Sequence, residues 1–172
     1  MRIILTANVA PFLPGGADYH IQGVFHALKC HGHEVELLRF PFQFSPLQSI
    51  LDLMNYCHSL NLNRPNGVSV DRMISLQFPG YGIQHENHWV WLMHQHRAVY
   101  ELYDPDQGDA NLQQLKGEVQ EYDTQALQQA RKVFANSRQV ANRLQHFNGL
   151  NSEPLYHPPA FAEHFFCDDA LP

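Results

Sequence analysis

Three short segments hold the side chains best suited to chemistry. His94-Gln95-His96-Arg97 packs two imidazoles and a guanidinium into four residues. It offers hydrogen-bond donors, a cation and a general base that titrates near neutrality. The same spacing also suits two histidines that cap local backbone groups. Metal ligation is a third use of histidine, but the twelve histidines are scattered along the chain. His31 and His33, like His94 and His96, stand two residues apart, with no H-x-x-x-H pair or Cys/His cluster, so no metal ligands are assigned. Pro14-Gly15-Gly16-Ala17 is a glycine pair that lets a ligand approach the backbone, with a helix N-terminus behind it to receive an anion. A tight turn without a ligand is its plainer use. Asn136-Ser137-Arg138 joins a good N-cap residue to a cation within reach of an anion.

Other chemistries lack their signatures. The G-x-G-x-x-G dinucleotide fingerprint, the P-loop and the G-x-S-x-G elbow are all absent. Cys30, Cys57 and Cys167 stand far apart and odd in number, which suits reduced thiols in a cytoplasm rather than a disulfide framework or a nucleophile.

The elements that must position these segments alternate. Residues 2–6 form a nearly continuous apolar run, the habit of a strand buried on both faces of a parallel sheet. A breaker-rich loop over 8–16 follows, then a helix over 17–31 with Ile21, Val24, Phe25 and Leu28 on one face, Gly32 past its end, and a second strand over 34–38. This is a βαβ unit. Further on, helical spacing over 47–60, strands over 72–76, 88–93 and 132–135, and one or two helical turns over 98–103 are expected. A long helix over 110–131 carries Leu112, Leu115, Val119, Tyr122, Leu127 and Ala130 as its stripe. A helix from Ser137 to about Phe147 ends at Asn148-Gly149, and an edge strand over 153–156 completes the pattern. Such alternation predicts an α/β fold, a Rossmann-like three-layer sandwich with a mostly parallel sheet and helices on both faces. Ligands of such sheets bind outside the C-terminal ends of the strands. The glycine loop, Gln77-Phe78-Pro79-Gly80-Tyr81-Gly82, the His94 segment and Ser137-Arg138 all reach that edge.

Composition narrows the partners. The chain has 172 residues, a length for one domain with a real core, and 17 acidic against 11 basic side chains leave a formal net charge of −6. That balance argues against nucleic acid as a partner. Apolar runs such as residues 89–93 are far too short to span a bilayer, and no secretory signal is visible at the start.

Taken together, the segments resemble the N-terminal half of retaining glycosyltransferases of the GT-B fold, family 4. The resemblance rests on Phe12-Leu13-Pro14-Gly15-Gly16-Ala17 with Asp18, on His31-Gly32-His33-Glu34-Val35, and on Gln77-Phe78-Pro79 with the stretch from Trp91 to Arg97 and Tyr100-Glu101-Leu102-Tyr103. Val133-Phe134-Ala135-Asn136-Ser137 with Val140 to Leu144, and Tyr156-His157-Pro158-Pro159, complete it over about residues 2–160. Each motif is modest, but their order and spacing are specific.

The resemblance implies transfer of a sugar from a nucleotide-sugar donor to an acceptor with retention, with no tightly bound cofactor and no metal. Residues 1–160 would be the acceptor-side domain and 161–172 the start of an interdomain linker. Gly15 and Gly16 would face the donor diphosphate, with Arg97, Ser137 and Arg138 as further contacts. His94, with His96 as the alternative, would lie near the transferred sugar. The donor-binding C-terminal domain is missing from the chain, which reads as truncated near a domain boundary. A C-terminal GT-B domain in cis or trans is therefore the implied partner, and the chain alone is expected to be inactive. The alternative is a non-catalytic interaction module derived from the same domain. A flavodoxin-like or receiver domain ranks last, because the acids do not gather at strand ends. A cytoplasmic location follows, with peripheral contact at the inner face of the membrane allowed by analogy. Its local support is the aromatic run over 40–44, which equally suits a core.

Overall fold

The computed structural model describes residues 1–13, 15–106, 110–159 and 164–167. Pro14 of the glycine loop, the chain end over 168–172 and most of the expected linker lie outside the described residues.

Six strands form one sheet: β1 (Arg2–Val9), β2 (Glu34–Pro41), β3 (Arg72–Ser75), β4 (His88–Leu92), β5 (Lys132–Ala135) and β6 (Glu153–Pro154). All pairings are parallel, in the order β2-β1-β3-β4-β5-β6. Four α-helices flank it: α1 (Gly16–Cys30), α2 (Leu47–Ser59), α3 (Ala110–Gln129) and α4 (Arg138–Asn148). The α/β three-layer sandwich is therefore present.

Alternation along β1 sends its side chains to two cores. Ile3, Leu5 and Ala7 pack with Ile21 and Val24 of α1. On the other face Ile4 packs with Cys57, Met73 and Ile83, and further along the sheet Val90, Leu92 and Ala135 pack with buried residues of α2, α3 and α4, among them Ile50, Leu115, Val119 and Leu144. No helix among the described residues is long and apolar enough to cross a membrane.

The strands run further than their apolar cores suggest. β1 continues through Asn8 to Val9 and β2 through Arg39 to Pro41, because the register pairs Ala7 with Arg39 and Asn8 with Phe40. Main-chain pairing carries both strands past the apolar runs over 2–6 and 34–38 and so sets Asn8 and Arg39 at the C-terminal edge. The sixth strand is shorter than expected, only Glu153–Pro154. The expected turns over 98–103 reduce to a 3-10 turn at Arg97–Val99.

Helix ends obey local chemistry. Ser137 accepts a hydrogen bond from the Val140 N–H (3.2 Å) at the start of α4. Gly149 closes that helix at φ +67°, a left-handed conformation that glycine adopts without strain.

Candidate functional site

In this strand order the chain reverses direction between β1 and β3, where open α/β sheets carry their ligand crevice. A cleft of about 170 Å³ opens there. It brings together Gly15, Ala17 and Asp18 from the start of α1, Arg39 and Phe42 from the end of β2, Gln77 and Phe78 after β3, and His94, Gln95 and His96 after β4.

Asn8 at the end of β1 ties the floor together. Its main-chain N–H donates to Gln77 Oε1 (2.8 Å) and its Nδ2 to the Phe78 carbonyl (2.6 Å). Its own carbonyl accepts from Arg39 Nε (2.9 Å) and Nη2 (2.7 Å). Arg39 Nη2 also meets Asp18 Oδ1 at 2.6 Å, while the Gly15 N–H donates to Asp18 Oδ2 (3.2 Å). These two bonds, the Gly15 N–H first and then Arg39, hold the Asp18 carboxyl below its ordinary range. The carboxylate thereby fastens the glycine loop to the first turn of α1, where helix N–H groups and the positive dipole end gather.

The two histidines differ in setting. His94 is exposed, and its Nδ1 lies 2.7 Å from the Gln95 carbonyl. A carbonyl only accepts, so Nδ1 carries the proton and Nε2 is left for a ligand. His96 is half-buried against Phe78, ring centroids 5.5 Å apart and planes 27° from parallel, with Phe42 at 5.9 Å. Burial, and then the neighbouring His94, lower its pKa, so at neutral pH it is an uncharged ring in an aromatic wall.

Between them Gln95 is 1 % exposed and donates to Asn148 Oδ1 (2.6 Å). Asn148 Nδ2 donates in turn to Thr124 Oγ1 (2.8 Å) and the Tyr100 hydroxyl (3.3 Å). Tyr100 and Tyr81 both donate to Asp123, which is fully buried on α3. The histidine loop is thus anchored to α3 and α4 by a buried polar chain.

The remaining sequence candidates stand elsewhere. Gly16 opens α1 beside Gly15 but does not itself line the cleft. Arg97, Ser137 and Arg138 are also absent from its described lining. Arg97 Nε pairs with Glu101 Oε1 (2.6 Å), an oxygen that Arg143 also reaches (3.1 Å). Ser137 spends its hydroxyl on the α4 cap. Arg138 is exposed, its main-chain N–H donating to the Tyr156 hydroxyl (3.1 Å).

Asn8, Arg39 and Asp123 had no role in the site from sequence, and Gln95 stood there only as the middle of the histidine segment. Arg39 sits one register step inside β2, and Asp123 stands four residues from both Val119 and Leu127 on the buried stripe of α3. That i, i+4 position was the available signal.

Two further contacts bear on chemistry. Ser75 Oγ lies 2.8 Å from His88 Nε2, yet Ser75 is 0 % and His88 4 % exposed, so this pair meets no substrate. Asp18 is the one carboxylate lining the described cleft, and Arg39 offsets it, unlike the acidic cluster of a receiver domain. No protein-family model matches the sequence, and no curated protein matches it at a significant level.

Proposed function

We propose that this chain is the acceptor-side domain of a glycosyltransferase that moves a sugar from a nucleotide-sugar donor to an acceptor with retention. The observation that supports this best is the meeting of the Gly15 loop, the α1 N-terminus and His94 in one cleft at the strand-order reversal. As the bond from sugar to diphosphate breaks, negative charge grows on the leaving oxygens. The helix N-terminus is suited to stabilise it, and glycine lets it come close. His94 in this reading meets a sugar hydroxyl through Nε2, while His96 serves as apolar wall. In this reading the nucleotide is held by a second Rossmann-like domain, supplied in cis or trans.

The cleft mouth favours a covering partner. Leu13 and Phe44 are exposed there, at 66 % and 63 %, whereas Phe42 is buried. Of the aromatic run over 40–44, Phe44 is the exposed ring available for the proposed peripheral contact at the inner face of the membrane.

The test joins the chain to a matching C-terminal domain and offers uridine, guanosine and adenosine diphosphate sugars. Transfer is expected, falling about 100-fold or more in His94→Ala. Gly15→Ala adds a Cβ that meets nothing within 4 Å, on extended backbone at φ −151°, so its folding should be intact. A loss of donor use in that variant reports close ligand approach. No transfer from any of these donors would overturn the proposal. A stable complex formed without donor would instead favour the interaction module.

A further inference from the structure

On the far side of α1, away from the cleft, two imidazoles are stacked. His20 and His157 lie with ring centroids 4.3 Å apart and planes 4° from parallel, and the indole of Trp91 meets His20 edge-on at 4.7 Å. His20 is 3 % exposed, and neither of its ring nitrogens has a hydrogen-bond partner; His157 Nδ1 is also buried without one. Buried polar nitrogens left in this way are uncommon. Parallel rings send their lone pairs in parallel directions, so the two do not converge on one metal ion.

His157 belongs to the segment that follows β6. That segment is held by a few further bonds: Leu155 N–H to the Ala135 carbonyl (2.8 Å), Trp91 Nε1 to the Leu155 carbonyl (2.9 Å), and the Arg138 N–H to the Tyr156 hydroxyl (3.1 Å). Leu155 and Tyr156 are themselves exposed. The rest of the surroundings is apolar, with Val24, Ala27 and Leu28 of α1 and Pro158 of the segment. The titratable groups facing the stack are Tyr19 and His20 from α1 and His157 from the segment, while β4 adds only an indole. No carboxylate is among the described residues around it. The nearest in sequence, Asp18, is taken by Arg39 and the Gly15 N–H, and Glu153 of β6 by Lys132.

We infer that the His20–His157 stack is a proton-released latch, which holds residues 153–159 on the α1 side of the sheet while His20 is neutral and lets them go when His20 is protonated. A proton on His20 adds a charge where no acceptor waits. The sign follows from burial. Burial, and then His157, depress the His20 pKa to about 4 in the docked state, against an ordinary 6.5 once the segment lifts. Docking is at full strength above pH 6.5 and weakens as pH falls towards 4, by about 30-fold at pH 5. This inference is independent of the glycosyltransferase proposal.

Hydrogen exchange of the full chain tests it. After correction for intrinsic rates, the opening constant of the Leu155 amide should rise about 20-fold from pH 7 to pH 5. His20→Phe keeps a stacked ring with nothing to titrate, so there the Leu155 value should stay flat. A flat wild-type profile, or an equal rise in His20→Phe, would refute the latch. Should that variant fail to fold, nuclear magnetic resonance of the His20 ring in the wild-type chain decides. A midpoint near 6.5 with Leu155 still protected overturns the inference, and a midpoint well below it, joined to Leu155 opening, supports it.

Discussion

Replacing Asp123 with asparagine isolates the effect of one buried carboxyl on this domain. Asp123 is 0 % exposed and receives the hydroxyl protons of Tyr81 (2.6 Å) and Tyr100 (2.7 Å). Burial lifts its pKa from an ordinary 3.8 to about 7, with the two phenol bonds pulling the other way. A carboxyl with a raised folded pKa supports folding most when protonated. That support is complete below pH 3.8 and is lost as pH rises through 7. At about 1.4 kcal/mol for each tenfold change in ionisation constant, the full loss is about 4 kcal/mol. Linkage places about 2–3 kcal/mol of it between pH 5 and pH 8.

Asparagine keeps the shape and one acceptor oxygen but has no proton to release. Urea unfolding of both proteins at pH 5 and pH 8 measures the difference, and the histidines, common to both, cancel. The stability of Asp123→Asn relative to wild type should rise by about 2–3 kcal/mol between the two pH values. Parallel profiles, within about 0.5 kcal/mol, would mean that Asp123 does not change protonation on folding. The same network holds Gln95, so a native-like Asn variant should also leave the His94 loop in place.

The remaining predictions concern single contacts. A Cβ at Gly82 would fall on the Tyr122 hydroxyl, which donates to the Pro79 carbonyl (2.7 Å), so Gly82→Ala should cost about 1–3 kcal/mol in thermal unfolding. An unchanged melting temperature would contradict that packing. Ser137→Ala removes the α4 cap and should lower stability by about 1 kcal/mol, read from the urea midpoint. His88 is held to a pKa of about 3 by burial and then by His85, so its support is present above pH 6.5 and lost on acidification. In His88→Gln the fall in stability from pH 8 to pH 5 should shrink by about 2 kcal/mol, and an identical fall would refute the assignment.

Much of the architecture was legible in the chain. Continuous apolar runs mark strands buried on both faces, and Ile21 with Val24, or Val140 with Leu144, mark helix faces by their spacing. Gly32 and Gly149 mark two helix ends. The site was legible in part, since Gly15, His94 and His96 do meet in one cleft. Arg97 and Arg138 looked like its cations because both follow strands, yet Arg97 turns to Glu101 and Arg39 occupies the cleft. Sequence proximity to a strand end does not say which way a long side chain turns.

By itself the sequence determined the order of elements, because periodicity and breakers are local properties of the chain. It also determined that glycine and histidine segments follow the first and fourth strands. Tertiary structure decided which strands are neighbours, how far β1 and β2 run, and so that Asn8 and Arg39 stand at the ligand edge. It decided that Asp123, a charged residue on an apolar stripe, is enclosed by two tyrosines, and that His20 meets His157 across 137 positions of chain. Those outcomes depend on register and packing between distant segments, and these are set by the folded chain as a whole.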